Sequence, residues 1–427
     1  MLPVEITRSY VRSAPADQPL RPNVRAIASQ WMFVNGFSDE AIFEGIHRVP
    51  PSPVQVDVLA PDAAAMQCVQ QYAGNSVVLA LSGGIDSRAL LALLIGAGLR
   101  PHILTYGTPN MPDCAVAVQI AAALKLEHSM LDVRSVDLHD CRTVMARIAS
   151  ISEGTYSMAH AAVVPAIADV MNRFPKAVFL DGAYGGLLRG GLGNRLLLQG
   201  WNALRTADVA GVARFLQVRN LDVFAPHLHG QIAAYAMESV AAAMAQKGRP
   251  TFRGRRDWLD RFFLRWYAPG FVANAGAVFS PWFNSAMPFL DTGLLESVLS
   301  LPASQRDHAK LFRRWIQRYI PQCAGIPFVG KRSNYPLLLA GRPLLIGAVS
   351  KFGRGHAAHD LTEDVIAQRI PDVLEDFADA GVGGGLFNKD VVRTLERSSH
   401  TFFEWLTLAT ALAQGNDYFA ALDLQGG

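Results

Sequence analysis

The chain has 427 residues, half of them hydrophobic and only 18% charged, with 39 lysines and arginines against 36 acidic residues. That length admits two or three domains at about 150 residues each, and the low charge argues against long disordered stretches. A formal net charge of +3, with basic residues scattered rather than in blocks, gives no footing for nucleic acid or for a membrane surface.

The first thirty residues carry prolines and charges but no apolar segment of the signal-peptide kind, and no run of about 18 apolar residues occurs further on. Cys68, Cys114, Cys141 and Cys323 lie far apart without a CxxC pair, which argues against a structural zinc site, a redox pair or a disulfide framework. A cytoplasmic location is expected. Residues 1–75, with the apolar WMFVNG and the segment IFEGIHRVPPSPVQVDV, are too few for a large domain of their own.

From Ser76 the pattern changes. SVVLAL predicts a buried strand, a glycine pair follows, and RALLALLIGAGL predicts a helix with Gly98 as its stop. PHILTYG repeats the strand signal, AVAVQIAAALKL the helix, HSMLDV the strand, and a helix near residues 161–172 leads into AVFLDG. Such alternation predicts an α/β fold, a parallel sheet with helices on both faces, over residues 76–191. Its ligands are expected at the carboxyl ends of the strands. Beyond Gly191, stretches such as LHGQIAAYAMESVAAAMAQ and KLFRRWIQRYI predict a mainly α half over 192–427.

The sharpest motif is SGGIDS, Ser82 to Ser87, between a buried strand and a helix. Glycines at such a junction let backbone approach an anion, and the helix start aims N–H groups and its dipole at it. Ser82 and Ser87 add hydroxyl donors. Asp86 would repel a phosphate unless a cation lay between them, which makes it a candidate Mg2+ ligand. The plainer alternative is a glycine turn with Asp86 favouring the helix start. No Walker GK[ST] ending is present.

These residues resemble the signature of the ATP pyrophosphatases, and the surroundings are similar to the synthetase domain of the asparagine synthetase family, whose fold is of the adenine nucleotide alpha hydrolase type. TYGTPNMPD (Thr105 to Asp113), MPFLDTGLLESVLSLP (Met287 to Pro302), Lys310, Arg314 and Pro321 match its pattern, and IFEGIHRVPPSP looks like the end of its glutaminase domain. The resemblance implies that residues 76–427 form an ATP-binding synthetase domain preceded by a truncated segment. Leu81, Ser82, Gly83, Gly84, Asp86, Ser87, Thr105, Gly107 and Gly182 are then expected to hold ATP. Asp86 and Asp181 would hold Mg2+, and Lys331, Lys310 and Glu153 would serve catalysis. With Met1-Leu2-Pro3 at the start and no amino-terminal cysteine, glutamine hydrolysis is not expected. The nitrogen would come from free ammonia, a partner protein supplying ammonia or substrate, or an amine of the carboxylate substrate, which is a small molecule or a peptide.

The chain departs from the family pattern in two places. Where the pattern reads SGDGxDELFGGY, this chain has LDGAYGGLLRGG, so Gly186 and Leu187 stand at the acidic positions. Asp181 is the nearby carboxylate, either a displaced metal ligand or a turn-former, and Tyr184 is expected to stack rather than to react. Where the pattern reads ExRxP, Asn284, Ala286 and Pro288 occur, and an amide cannot act as the base. Glu153 is a substitute base or an exposed glutamate at a helix start, Lys310 catalytic or structural, and His128 a packed core histidine. Lys331, in FVGKRSNYP, matches the lysine that meets the reacting phosphate. The expected function is an AMP-forming amide ligase, with a catalytically degenerate nucleotide-binding scaffold as the alternative.

Overall fold

Val77–Ala80 is apolar at every position, which suits a strand covered on both faces. The computed structural model, which describes residues 10–13, 19–49, 58–174, 176–247, 250–251, 254–330, 334–339, 342, 345, 361–381 and 385–421, places it at the centre of a five-stranded sheet. Two short strands precede it, β1 (Tyr10–Arg12) and β2 (Ile46–Arg48), paired antiparallel. The sheet itself comprises β3 (Val77–Ala80), β4 (His102–Gly107), β5 (His128–Asp132), β6 (Val178–Asp181) and β7 (Ser285–Ala286), in the order β5-β4-β3-β6-β7. All four pairings are parallel.

The first four strands fall where the apolar runs predict them. The edge strand β7 does not: it comes from the mainly helical half, and the main chain of Asn284 extends its pairing by accepting from the Phe179 N–H at 2.8 Å. A two-residue strand carries too little pattern to be read locally.

Alternate residues of β3 and β6 face opposite ways. Val77, Leu79, Val178 and Leu180 enter one apolar core with the helices Ile85–Gly96, Pro112–Leu124 and Lys310–Tyr319. Val78, Ala80 and Phe179 enter another with the helix Val164–Met171. Leu90, Leu91, Ala92, Leu93 and Leu94 are all at most 1% exposed, so the helix after β3 is apolar on every side because it is buried on every side. The amino-terminal helix Val24–Phe33 packs on His229–Lys247, within a further core shared with Cys141–Ile151 and the helix His400–Ala421.

The order of the sheet positions the site. From β3 the chain crosses to β4 on one side, while β6 pairs on the other, so the crevice between the turns after β3 and β6 lies at the point where the winding reverses. A two-stranded antiparallel pair, β8 (Phe328–Val329) with β9 (Asn334–Tyr335), reaches the same edge.

Candidate functional site

Ser82–Ser87 forms the turn out of β3. Ser87 Oγ accepts from the Ser82 N–H at 3.1 Å, Ser82 Oγ accepts from the Gly84 N–H at 3.2 Å, and the two hydroxyls lie 3.1 Å apart. The helix that follows has no side-chain cap at Gly84, which leaves its first turn without a capping oxygen beside the crevice that Gly84, Asp86 and Ser87 line. Gly83 is set by its surroundings: a Cβ there would stand 2.2 Å from Val329 Cγ2. Its N–H donates to Asp113 Oδ1 at 2.9 Å, and its carbonyl accepts from the Val329 N–H at 2.8 Å.

Arg88 fastens this turn to β8. The side chain is fully buried and donates to the carbonyls of Ile326 at 2.7 Å, Pro327 at 2.8 Å and Gly83 at 3.3 Å. Burial pushes its guanidinium down to about 10, so it stays charged at neutral pH. An arginine directly after a serine-rich loop, at the head of a wholly apolar helix, was the available signal for this clamp.

Around the turn lies a cavity of about 630 Å³, within the usual range for a small-molecule site. It is lined by Leu81, Ser82, Gly84, Asp86, Ser87, Thr105, Asp181 and Gly182, so eight of the residues expected at the site come together there. Thr105 is fixed by donating to the Leu81 carbonyl at 2.9 Å and by His128 Nε2 at 3.1 Å. His128 is thus a packed partner of Thr105, its imidazole pushed below the ordinary histidine value chiefly by burial. Gly107 ends β4 at φ 147° with Cys114 Sγ and Met111 Sδ closing on its missing Cβ, and it shapes the wall without lining the cavity.

The turn after β6 meets the first one closely. A Cβ on Gly182 would lie 2.6 Å from Ser87 Cα, and one on Gly185 would lie 2.7 Å from Asp86 Cγ. Asp181 accepts from the Ala183 N–H at 2.9 Å, and burial pushes its carboxyl above the usual range, partly offset by that N–H and by His160. Tyr184 adopts φ 67° and packs edge-on against Phe271 at 6.4 Å, its phenol pushed well up by burial. The segment Leu192–Asn194 that follows is held by buried Arg256, which donates to the Leu192 carbonyl at 2.7 Å and to Asn194.

The shared metal site expected of Asp86 and Asp181 is not what these turns build. Both carboxylate oxygens of Asp86 are gripped by Arg189, Nε to Oδ1 at 2.8 Å and Nη2 to Oδ2 at 3.1 Å. The pattern's two acidic positions are Gly186 and Leu187, and among the described residues no three His, Cys, Asp or Glu side chains gather to hold a metal ion. The donor set therefore does not fit a protein-held magnesium ion. Arg189 carries no local sequence signal, since its glycine-rich surroundings specify backbone shape and its partner lies 103 residues away.

Two expected catalytic residues sit elsewhere. Glu153 is fully buried beneath the amino-terminal segment, with Arg48 Nη2 at 2.8 Å and Nε at 3.2 Å, and it also accepts from the Tyr10 hydroxyl and the Ile42 N–H. A carboxylate so fully engaged cannot take a proton from a substrate, and the role read for it as a base is replaced by that of an ion-pair anchor. Lys310 is exposed and donates to the Ser304 carbonyl, so it belongs to the start of its own helix and not to the cavity wall. Lys331 lies outside the described residues; Gly330, its neighbour in the chain, lines the cavity.

Comparison with known proteins accords with this geometry. Residues 61–323 match the family model described as asparagine synthase, which begins at the helix Pro61–Gln70 and takes in every strand of the parallel sheet. The 7-cyano-7-deazaguanine synthase of Archaeoglobus fulgidus is 38% identical over 65 residues, 15% of this chain and 26% of that protein. That of Marinobacter nauticus is 31% identical over 84 residues, 19% of this chain and 38% of its own length. The chain thus spans well under half the length of these curated relatives. No helix among the described residues is long and apolar enough to cross a membrane. With a match over more than half its length and the loop, sheet and crevice in place, the chain belongs to the asparagine synthase family.

Proposed function

We propose that this chain is an AMP-forming amide ligase working in the crevice between the turns after β3 and β6. A substrate carboxylate oxygen attacks the α-phosphorus of ATP, the bond from that phosphorus to the bridging oxygen breaks, and pyrophosphate leaves carrying the electron pair. A neutral nitrogen nucleophile then attacks the acyl carbon, AMP departs, and an amide or lactam remains after loss of the nitrogen's proton. The observation that carries this reading is the uncapped helix start at Gly84, flanked by the Ser82 and Ser87 hydroxyls and seated where the sheet winding reverses. Such chemistry is mostly positioning and charge neutralisation, which a fixed loop of N–H donors supplies without reorganisation. Lys331, following Gly330, is proposed to meet the reacting phosphate, and the substrate is a small-molecule or peptide carboxylate.

Leu187 and Gly186, together with the locked Glu153, favour a second reading, a nucleotide-binding scaffold without turnover. One experiment separates the two. The purified chain is incubated with α-labelled ATP and pooled carboxylates, with ammonium and separately with amines. AMP and pyrophosphate released in equal amounts, dependent on an acid, support the ligase. ATP that binds yet returns unchanged with every acid and amine tried supports the scaffold. ADP formation contradicts both.

A further inference from the structure

The cavity carries an unusual balance of charge. Of the described side chains lining it, Asp86, Asp113 and Asp181 are acidic, and only Arg189 and Arg342 are basic. Among these described side chains, removing Arg189 would leave three carboxylates against one guanidinium. Resting on the nucleotide-binding reading above, we infer that Arg189 is the resident cation of the pyrophosphate seat, held in place by Asp86 and meeting the departing phosphates where a protein-held magnesium ion would otherwise be required.

The geometry of the two turns supports this assignment. Asp86 grips Nε and Nη2 of Arg189, so the remaining N–H donors of the planar fork are left to a second anion, and the fork matches a phosphate as well as a carboxylate. Arg189 remains 27% exposed, within reach of a ligand. A Cβ at Gly185 would approach Asp86 Oδ1 to 2.8 Å, so glycine there lets the Asp86 carboxylate lie against this turn, and its two contacts make it the positioning residue for Arg189. At Gly186, by contrast, a Cβ would meet nothing closer than Leu192 Cδ2 at 3.5 Å. A side chain is therefore not excluded at its first carbon. No acidic side chain stands there, and positive charge arrives instead on a side chain three residues later.

The test is calorimetric titration of the full chain with ATP in buffer containing magnesium and in buffer containing EDTA. The parent is expected to bind within about threefold in the two buffers, and Arg189→Leu to lose about tenfold or more in both, a factor that marks one charge-assisted contact. Thermal unfolding of Arg189→Leu checks that the fold is intact, and Arg189→Lys, which keeps a cation, should recover part of the affinity without recovering the parent value. Parent affinity that collapses in EDTA overturns the inference and leaves the nucleotide site standing. So does Arg189→Leu binding as well as the parent in magnesium. Failure of the parent to bind ATP in either buffer overturns the inference together with the nucleotide reading beneath it.

Discussion

The turn after β3 and the turn after β6 face each other across one crevice, and they meet its demands by different means. Ser82–Ser87 supplies donors: the N–H groups of an uncapped helix start, two hydroxyls and a clamp by Arg88 that fixes the loop against β8. Asp181–Gly191 supplies room: Gly182 and Gly185 allow contacts of its backbone with Ser87 and Asp86 that no side chain would permit, and Arg189 then adds charge from the far end. Close backbone approach has one solution, glycine. Positive charge beside a phosphate has several, and this chain uses an arginine.

The largest expected effect comes from breaking the donor turn. Arg88→Met would strand the carbonyls of Ile326 and Pro327 and should destabilise the fold by about 3 kcal/mol, measured by urea unfolding. ATP affinity should fall with it, because the contact of Gly83 with Val329 loosens; full stability in Arg88→Met would show that the clamp is not needed. A smaller change is expected in the other turn. Gly182→Ala forces a Cβ onto Ser87 main chain and should cost about 1–3 kcal/mol, whereas Gly186→Ala, where a Cβ makes only ordinary contact with Leu192, should stay within about 0.5 kcal/mol. Equal costs at the two glycines would remove the distinction between them.

The smallest effect concerns Asp181. Its folded carboxyl titrates above the ordinary value of 3.8 mainly through burial, so the folded state holds the proton more tightly than the unfolded chain does. Its contribution is most favourable below 3.8 and is lost as pH rises through the raised value, so at neutral pH the burial of this carboxyl is a net cost to the folded state. Asp181→Asn should therefore raise Tm slightly at pH 7, with the gain shrinking as the pH is lowered toward 3.8. A loss of Tm at pH 7 would mean that the ionised carboxylate is stabilised by its surroundings.

These contrasts also mark how far the amino-acid sequence could be read. The apolar runs of β3 to β6 and the SGGIDS turn are local signals, and the structure gathers Leu81, Ser82, Gly84, Asp86, Ser87, Thr105, Asp181 and Gly182 around one cavity. What could not be read depends on pairings between distant residues. Glu153 meets Arg48 across 105 positions, Arg189 meets Asp86 across 103, and Arg88 meets Ile326 across 238. No periodicity reports such partners, because they exist only after the sheet order is set. Glu153 shows the cost: a glutamate in a turn looks like a candidate base until the buried guanidinium beside it is seen.

The two turns together are expected to seat the pyrophosphate end of ATP. Competition tests this most directly: inorganic pyrophosphate is titrated against labelled ATP bound to the full chain, with AMP as the parallel competitor. Pyrophosphate should displace ATP completely and should lose about tenfold or more in potency in Gly83→Val, where the added side chain pushes Val329 off the loop. ATP that stays bound at saturating pyrophosphate, or that leaves as readily from Gly83→Val as from the parent, would contradict it.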